Sequence, residues 1–306
     1  MAEPEILHYA AFTRDPDGGN PAGVVLDASG LDDAAMQRIA AEVDYAETAF
    51  LTGGGAGGAR GIRYFSPIAE VPFCGHATIA TAVVLAEREG AGRFRFATGV
   101  GEVVIDTVAM TDASTSGILA SFTSVEPRVE PIADDVLARL LDLLGLGAAD
   151  LDHRYPPRIA YAGNRHPVLV VAEASVFDAF TFDPVAVREL MDAEGWAGTV
   201  SVLHPLGDGA GDGAARDGAG DGDGAARDGE WEARNLFPVG RIVEDPATGS
   251  AAASFGGYLR ELALVQPPAH VRIRQGRHVG RPSVLDVRIP EVGGIVVSGT
   301  AVPIPA

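Results

Sequence analysis

The chain has 306 residues, of which 42 are acidic and 23 basic, so its formal net charge is −19. This negative charge repels phosphate backbones and anionic membranes, which makes nucleic acid and lipid surfaces poor partners. Every basic residue is an arginine. The absence of lysine excludes a Schiff base, a pyridoxal phosphate aldimine and a Walker A lysine. The single cysteine, Cys74, excludes an internal disulfide and a multi-cysteine metal site.

The length suggests about two domains of ordinary size. No apolar run reaches the roughly 18 residues that a transmembrane helix needs, and the first residues lack the basic and apolar segments of a secretory signal. We therefore expect a cytoplasmic protein.

The predicted elements mix helices with short strands. Apolar residues at helical spacing predict amphipathic helices at 31–43 and 134–144, and an N-cap, a first-turn proline and a terminal glycine predict a third at 183–195. Strand-like segments are 101–107, 117–123, 158–172, 199–203, 271–275, 283–289 and 295–304. The pattern predicts an α+β fold of two sheet-rich halves. We place the first half at 1–126 and the second at 127–293, with 294–306 as a candidate to return to the first half.

One short motif occurs twice, 174 residues apart: Glu70-Val-Pro-Phe-Cys-Gly-His-Ala77 and Glu244-Asp-Pro-Ala-Thr-Gly-Ser-Ala251. Each copy runs into a small-residue apolar stretch that is typical of a buried helix. A glycine followed by a polar residue at a helix start leaves backbone N–H groups free to bind a carboxylate or an enolate oxygen. We expect residues 75–77 and 249–251 to face each other across one cleft.

Residues 207–230 contain only small and charged residues, including the same octamer at 211–218 and 222–229. We interpret them as a mobile surface loop between two strands. Calcium binding by the aspartates is disfavoured, because the aliphatic positions of a calcium-binding β-roll are missing.

Four polar clusters are candidates for chemistry. They are Asn20-Pro-Ala-Gly23, Glu47 within Tyr45-Ala-Glu-Thr-Ala-Phe50, Cys74-Gly75-His76, and Asp245-Pro-Ala-Thr248-Gly249-Ser250. Apolar neighbours would desolvate Glu47 and raise its pKa toward a useful acid/base range. Structural alternatives exist: Glu47 could pair with an arginine, His76 could be structural, and Thr248 or Ser250 could cap its helix.

Several segments together resemble the phenazine-biosynthesis PhzF-like isomerase/epimerase family. They are Gly19–Leu26, Glu47–Phe50, Phe65–Pro67, Glu70–Thr78, Glu244–Ala251, Gln275-Gly276 with Gly280–Ser283, and Val296–Val302. They follow the family order and span nearly the whole chain, and the stretch 207–230 is an insertion outside every motif.

The resemblance implies a diaminopimelate-epimerase-like fold, in which two pseudo-symmetric domains each wrap a β-barrel-like sheet around a central helix. The active site lies in the cleft between them. The family's catalytic positions fall on Glu47 as general acid/base, with His76, Asp245 and Ser250 around the substrate. Substrate-binding positions are Asn20, Gly75, Ala77, Thr248 and Gly249. The resemblance further implies a small carboxylic acid substrate, no cofactor and no metal, and it leaves a homodimer open.

Two other functions remain open. Cys74 stands at a helix start, which can lower a thiol pKa, and a one-thiol epimerase or racemase is the first. Its partner position in the second copy is Thr248, so a two-cysteine mechanism is excluded. The second is a small-ligand binding protein that keeps the fold without turnover.

Overall fold

The computed structural model describes residues 4–54, 58–111, 116–207, 228–239 and 242–305. The predicted mobile loop lies mostly outside these ranges. The preceding strand ends at Pro205 and the following strand begins at Gly229, so the stretch lies between two strands, but its last two residues, Gly229 and Glu230, belong to the second strand. The helices are α1 (Asp33–Val43), α2 (Gly75–Glu89), α3 (Asp134–Leu143), α4 (Ala174–Ala179), α5 (Pro184–Glu194) and α6 (Gly249–Glu261).

The first half is a closed barrel. Its strands are β1 (Leu7–Ala11), β2 (Asn20–Val25), β3 (Glu47–Gly54), β4 (Arg60–Phe65), β5 (Glu70–Val71), β6 (Arg93–Thr98), β7 (Gly101–Thr111) and β8 (Ser116–Thr123). Pairing runs β1-β2-β3-β4-β6-β7-β8, and the last strand of the described chain, β17 (Val296–Pro303), joins β8 back to β1. The apolar helix α2 lies inside this ring and contacts strands on opposite sides of it.

The second half repeats this plan. Its strands are β9 (Arg128–Pro131), β10 (Arg158–Tyr161), β11 (Arg165–Val170), β12 (Val200–Pro205), β13 (Gly229–Val239), β14 (Ile242–Asp245), β15 (Ala269–Gln275) and β16 (Ser283–Ile289). They pair in the order β9-β10-β11-β12-β13-β15-β16-β17 around α6. The β11–β12 and β13–β15 pairs are parallel, as are β2–β3 and β4–β6 in the first half. Among the described residues β9 and β17 do not pair, so this sheet stays open.

The motif that occurs twice has the same structural setting in both halves. Each copy begins on a short strand, β5 or β14, and leads into a central helix, α2 or α6. Its first glutamate forms an ion pair with an arginine of the preceding strand: Glu70 with Arg63, and Glu244 with Arg234. These glutamates therefore hold the turn before each helix, and the α+β fold of two pseudo-symmetric halves is confirmed.

The outer helices cover the sheets. Helices α3, α4 and α5 pack on the second half around Leu140, Phe177 and Leu190, and α1 packs on the first half through Met36 and Ile39. No helix in the described ranges has the length and apolar character to cross a membrane.

One predicted element agrees with the structure and another differs from it. Helix α5 has its N-cap at Asp183, whose carboxylate accepts hydrogen bonds from the first turn, and it ends at Gly195 in the left-handed conformation. The predicted strand 158–172 is in fact the hairpin β10–β11, because Gly163 turns the chain with a φ of 127°.

Candidate functional site

Glu47 lies at the first residue of β3 and points at the start of α2. Its side chain is 17% exposed. The thiol of Cys74 donates a hydrogen bond to Glu47 Oε2 over 3.3 Å, and His76 Nε2 lies 3.5 Å from the same oxygen. The strand therefore presents a nearly buried carboxyl group to the residues that begin the helix.

Asp245 is the corresponding carboxyl group of the second half. It ends β14, and each of its oxygens accepts one hydrogen bond of 2.6 Å, Oδ1 from the Asn20 amide and Oδ2 from the Thr248 hydroxyl. Asn20 also donates to the Ala247 carbonyl and comes from β2 of the first half. The two halves are thus joined by hydrogen bonds at Asp245.

Burial raises the pKa of both carboxyl groups. Burial raises the pKa of Glu47 to about 7, and the negative charge of Asp245 contributes to this rise. Burial also raises the pKa of Asp245, to about 6, although the hydrogen bonds from Thr248 and Asn20 oppose it. Near neutral pH Asp245 is mostly ionised, whereas Glu47 divides between its two forms.

The other two groups near Glu47 stay neutral. Burial, followed by the negative charge of Glu47, raises the pKa of the Cys74 thiol well above its ordinary value. Burial lowers the pKa of His76 to about 4. A thiol, an imidazole and a carboxylate lie together here and are donor types that bind zinc. In this structure the thiol donates a hydrogen bond to Glu47, so the three residues form a hydrogen-bonded cluster around the carboxyl group.

Both central helices begin without a side-chain cap. Neither Cys74 nor Thr248, the N-cap residues of α2 and α6, makes a side-chain capping hydrogen bond. The alternative that Thr248 caps its helix is therefore wrong, because its hydroxyl is turned to Asp245 instead. The positive ends of the two helices are available to an anion. Helices α2 and α6 also contact each other, which supports the expectation that residues 75–77 and 249–251 share one cleft.

Ser250 has a buried partner that the sequence did not indicate. His166 Nε2 lies 3.1 Å from Ser250 Oγ, and His166 is 0% exposed. Its Nδ1 lies within hydrogen-bonding distance of Thr199. Burial lowers the pKa of His166 to about 4, so the ring is neutral. His166 thus holds Ser250 in place without adding charge to the site.

A second buried network supports Asp245. Gln275 on β15 donates to the Asp245 carbonyl over 2.5 Å and to Thr248 Oγ1 over 3.0 Å. Its amide oxygen accepts from the Thr248 N–H and from the Asn235 amide. Gln275 belongs to a family motif, whereas nothing in the sequence singled out Asn235.

The structure brings the predicted site residues into two groups. Glu47 and His76 lie with Cys74 at the start of α2, and Gly75 and Ala77 belong to the first turn of this helix. Asn20, Thr248 and Asp245 lie before the start of α6, where Gly249 and Ser250 follow. Charge coupling between Glu47 and Asp245 connects the two groups.

Comparison with known proteins gives consistent matches. The family model described as "Phenazine biosynthesis-like protein" (PhzC-PhzF) matches residues 9–207 and 218–305. An uncharacterised isomerase of Salmonella typhimurium is 31% identical, with 98% of this chain and 96% of that protein covered. The trans-2,3-dihydro-3-hydroxyanthranilate isomerase of Pseudomonas fluorescens is 29% identical, with 95% and 94% covered. The solved structure of a predicted epimerase from Pseudomonas aeruginosa superposes with a TM-score of 0.78 at 27% identity, covering 99% and 98%.

Proposed function

Since the chain belongs to the phenazine biosynthesis-like protein family and is an isomerase, we propose that it moves a proton on a small unsaturated or amino/hydroxy carboxylic acid by carboxylate acid/base catalysis. Glu47 is the proposed acid/base group, and the reaction needs neither a cofactor nor a metal. The substrate of the Pseudomonas fluorescens relative, trans-2,3-dihydro-3-hydroxyanthranilate, is the first candidate to assay.

The position of Glu47 is the observation that carries the proposal: its nearly buried carboxyl group lies at the start of α2, beside Cys74 and His76. A group that removes a proton and then returns it works best with a pKa near the operating pH. Burial and the charge of Asp245 raise the pKa of Glu47 to about 7, which is within the neutral range. The low pKa of His76, about 4, makes its ring a weaker base than the Glu47 carboxylate, and the raised pKa of Cys74 keeps the thiol protonated, so Glu47 is the group of the three best able to accept a proton.

The rest of the site is suited to the anion that forms. When Glu47 takes a proton from carbon, the C–H electron pair spreads through the unsaturated acid toward its carboxylate. The uncapped starts of α2 and α6 and the Ser250 hydroxyl would bind the carboxylate and stabilise this charge. Glu47, now a carboxylic acid, returns the proton to another carbon. A double bond has shifted, no atom is gained or lost, and the carboxylate is regenerated.

The thiol alternative is the runner-up. A thiol base must ionise, and burial beside Glu47 opposes ionisation of Cys74. The binding-protein alternative predicts tight binding without turnover. Both make predictions that differ from ours.

The test is deuterium incorporation from heavy water into trans-2,3-dihydro-3-hydroxyanthranilate or its product, measured by mass spectrometry. Glu47→Gln keeps the shape of the side chain but cannot carry the proton, and we expect a loss of turnover on the order of 10²–10⁴-fold. Cys74→Ser is the matched control, and we expect it to lower turnover only slightly. Normal exchange by Glu47→Gln with loss in Cys74→Ser would establish the thiol mechanism. Tight binding of this substrate by the wild type without exchange would establish the binding protein.

A further inference from the structure

We infer that Gln275 is a positioning residue: it makes the Thr248 hydroxyl donate to Asp245 and so favours the ionised form of Asp245, leaving Glu47 as the carboxyl group that exchanges protons in the reaction. The inference rests on the proposed function, because it assigns different roles to the two carboxyl groups of that site.

The orientation of the Gln275 amide is fixed by two backbone groups. A backbone N–H can only donate, and the Thr248 N–H donates to Gln275 Oε1 over 3.2 Å. A carbonyl can only accept, and the Asp245 carbonyl accepts from Gln275 Nε2 over 2.5 Å. Reversing the amide would place like groups against each other at both contacts. Gln275 Nε2 is therefore the donor toward Thr248.

The orientation of Gln275 decides the direction of the Thr248 hydroxyl. Thr248 Oγ1 accepts from Gln275 Nε2 over 3.0 Å and lies 2.6 Å from Asp245 Oδ2. A hydroxyl has one hydrogen, and that hydrogen cannot point at the Gln275 N–H. It therefore points at Asp245 Oδ2, and this hydrogen bond favours the ionised form of the carboxyl group.

Asn235 holds the Gln275 amide in this orientation through a further hydrogen bond. Its amide nitrogen donates to Gln275 Oε1 over 2.8 Å, and its oxygen accepts from the hydroxyls of Ser201 and Thr199 at 2.6 and 2.9 Å. All of these side chains are buried. The result is a chain of hydrogen bonds with one direction, which ends on Asp245.

The other oxygen of Asp245 is held in the same way. Asn20 Nδ2 contacts both Asp245 Oδ1 and the Ala247 carbonyl, and since the carbonyl only accepts, this atom is the amide nitrogen. Both Asp245 oxygens thus face fixed donors, whereas the described side chains next to the Glu47 carboxyl group are the weak donor Cys74 and, at 3.5 Å, the ring nitrogen of His76. The groups that face the pair are Cys74 and His76 from α2, and both are neutral. Geometry therefore favours the charge on Asp245 and the proton on Glu47.

The experiment measures the pKa of each group directly, without substrate. Protein labelled with ¹³C at the side-chain carboxyls is titrated by NMR, and Glu47→Gln and Asp245→Asn assign the two signals. In the wild type we expect Asp245 to titrate below Glu47. In Gln275→Met, which cannot donate, Thr248 is released, and the pKa of Asp245 should rise by about one pH unit, toward that of Glu47.

Thr248 variants separate positioning from packing. Thr248→Val should raise the pKa of Asp245 as Gln275→Met does. Thr248→Ser should leave this pKa unchanged, because serine keeps the hydroxyl. Gln275→Met in the Thr248→Val background should add no further change. If Gln275→Met does not fold, the two Thr248 variants decide alone. Three results would overturn the inference: wild-type Asp245 titrating above Glu47, an unchanged Asp245 pKa in Thr248→Val, or an additive effect in the double variant.

Turnover provides an independent readout. The pH at which kcat/KM for trans-2,3-dihydro-3-hydroxyanthranilate reaches half its maximum should follow the Glu47 pKa measured for each variant. Absence of turnover in the wild type would contradict the proposed substrate, but the titration would still decide the role of Gln275. A kcat/KM profile that follows the Asp245 pKa instead would overturn the role inferred for Gln275.

Discussion

Thr199 stands in the second half at the strand position that Glu47 occupies in the first. Glu47 precedes Thr48, which pairs with Phe65, and Phe65 pairs with the motif glutamate Glu70. Thr199 precedes Val200, which pairs with Leu236, and Leu236 pairs with the motif glutamate Glu244. The duplicated fold therefore offers two equivalent positions facing the helix starts, and a carboxyl group stands at one of them.

This asymmetry leads to a prediction about the fate of the proton. If Glu47 alone removes and returns it, the proton stays on one side of the substrate and part of it is returned before exchange with water. Substrate deuterated at the reacting carbon should give product with measurable retained deuterium in ordinary water. Mass spectrometry of the product at low conversion tests this. Complete loss of label at the earliest time points would indicate a second base.

The raised pKa of Glu47 predicts a pH-dependent stability. Its folded-state pKa of about 7 exceeds the ordinary 4.5, so the folded protein binds this proton more tightly than the unfolded chain. The stabilisation is complete below pH 4.5 and is lost as the pH rises through 7. Glu47→Gln should therefore be more stable than wild type at pH 8, on the order of 3 kcal/mol, and about equal at pH 4. Denaturant unfolding at both pH values checks this, and an equal difference at both would contradict it.

The charge of Asp245 should be measurable in the pH profile. Asp245→Asn removes a negative charge that helps to raise the pKa of Glu47, so the Glu47 pKa should fall. The acid limb of kcat/KM should then lie at lower pH, even if the maximal rate drops. Profiles of wild type and Asp245→Asn between pH 4 and 9 provide the comparison. A limb displaced to higher pH would show that the two carboxyl groups do not interact as described.

His166 offers a matched pair of substitutions. Glutamine can place a polar atom near the Nε2 position and keep the contact with Ser250, whereas asparagine reaches only the Nδ1 position. We expect His166→Asn to lower turnover by about tenfold, the equivalent of one hydrogen bond, and His166→Gln to lower it less. The same rates in both variants would mean that the contact with Ser250 does not matter. Thermal melts control for loss of fold.

The two motif glycines should respond differently to alanine. A Cβ at Gly75 would meet its nearest atom, on Phe73, at 4.0 Å, but a Cβ at Gly249 would lie 3.0 Å from the ring of Phe122. Gly75→Ala should leave the melting temperature unchanged or raise it, since alanine favours a helix. Gly249→Ala should be less stable than Gly75→Ala by about 1–2 kcal/mol. Equal stability would show that Phe122 can move aside.

Local signals in the sequence predicted what local chemistry controls. Residues within one or two turns determine three of the predicted features. These are the caps of α5, the helix that follows each motif copy, and the position of Glu47 between a helix and a strand. The division of 158–172 into a hairpin was missed, although Gly163-Asn164 carried a turn signal. His166 and Asn235 could not be found, because their partners lie 84 and 40 positions away and single buried polar residues have no periodicity. The assignments of catalytic roles and of the boundary at 126–127 stay predictions.

Strand β17 ties the completion of the first half to residues made at the end of the chain. The hydroxyls of Ser121 on β8 and Ser298 on β17 are 2.8 Å apart in space but separated by 177 positions in sequence. During synthesis on the ribosome, the edges of β8 and β1 that pair with β17 therefore stay unpaired until the whole second half has emerged. Contacts between such distant residues slow folding. A nascent chain of this protein consequently depends on late closure of its first barrel, which is complete only after β17 has been translated.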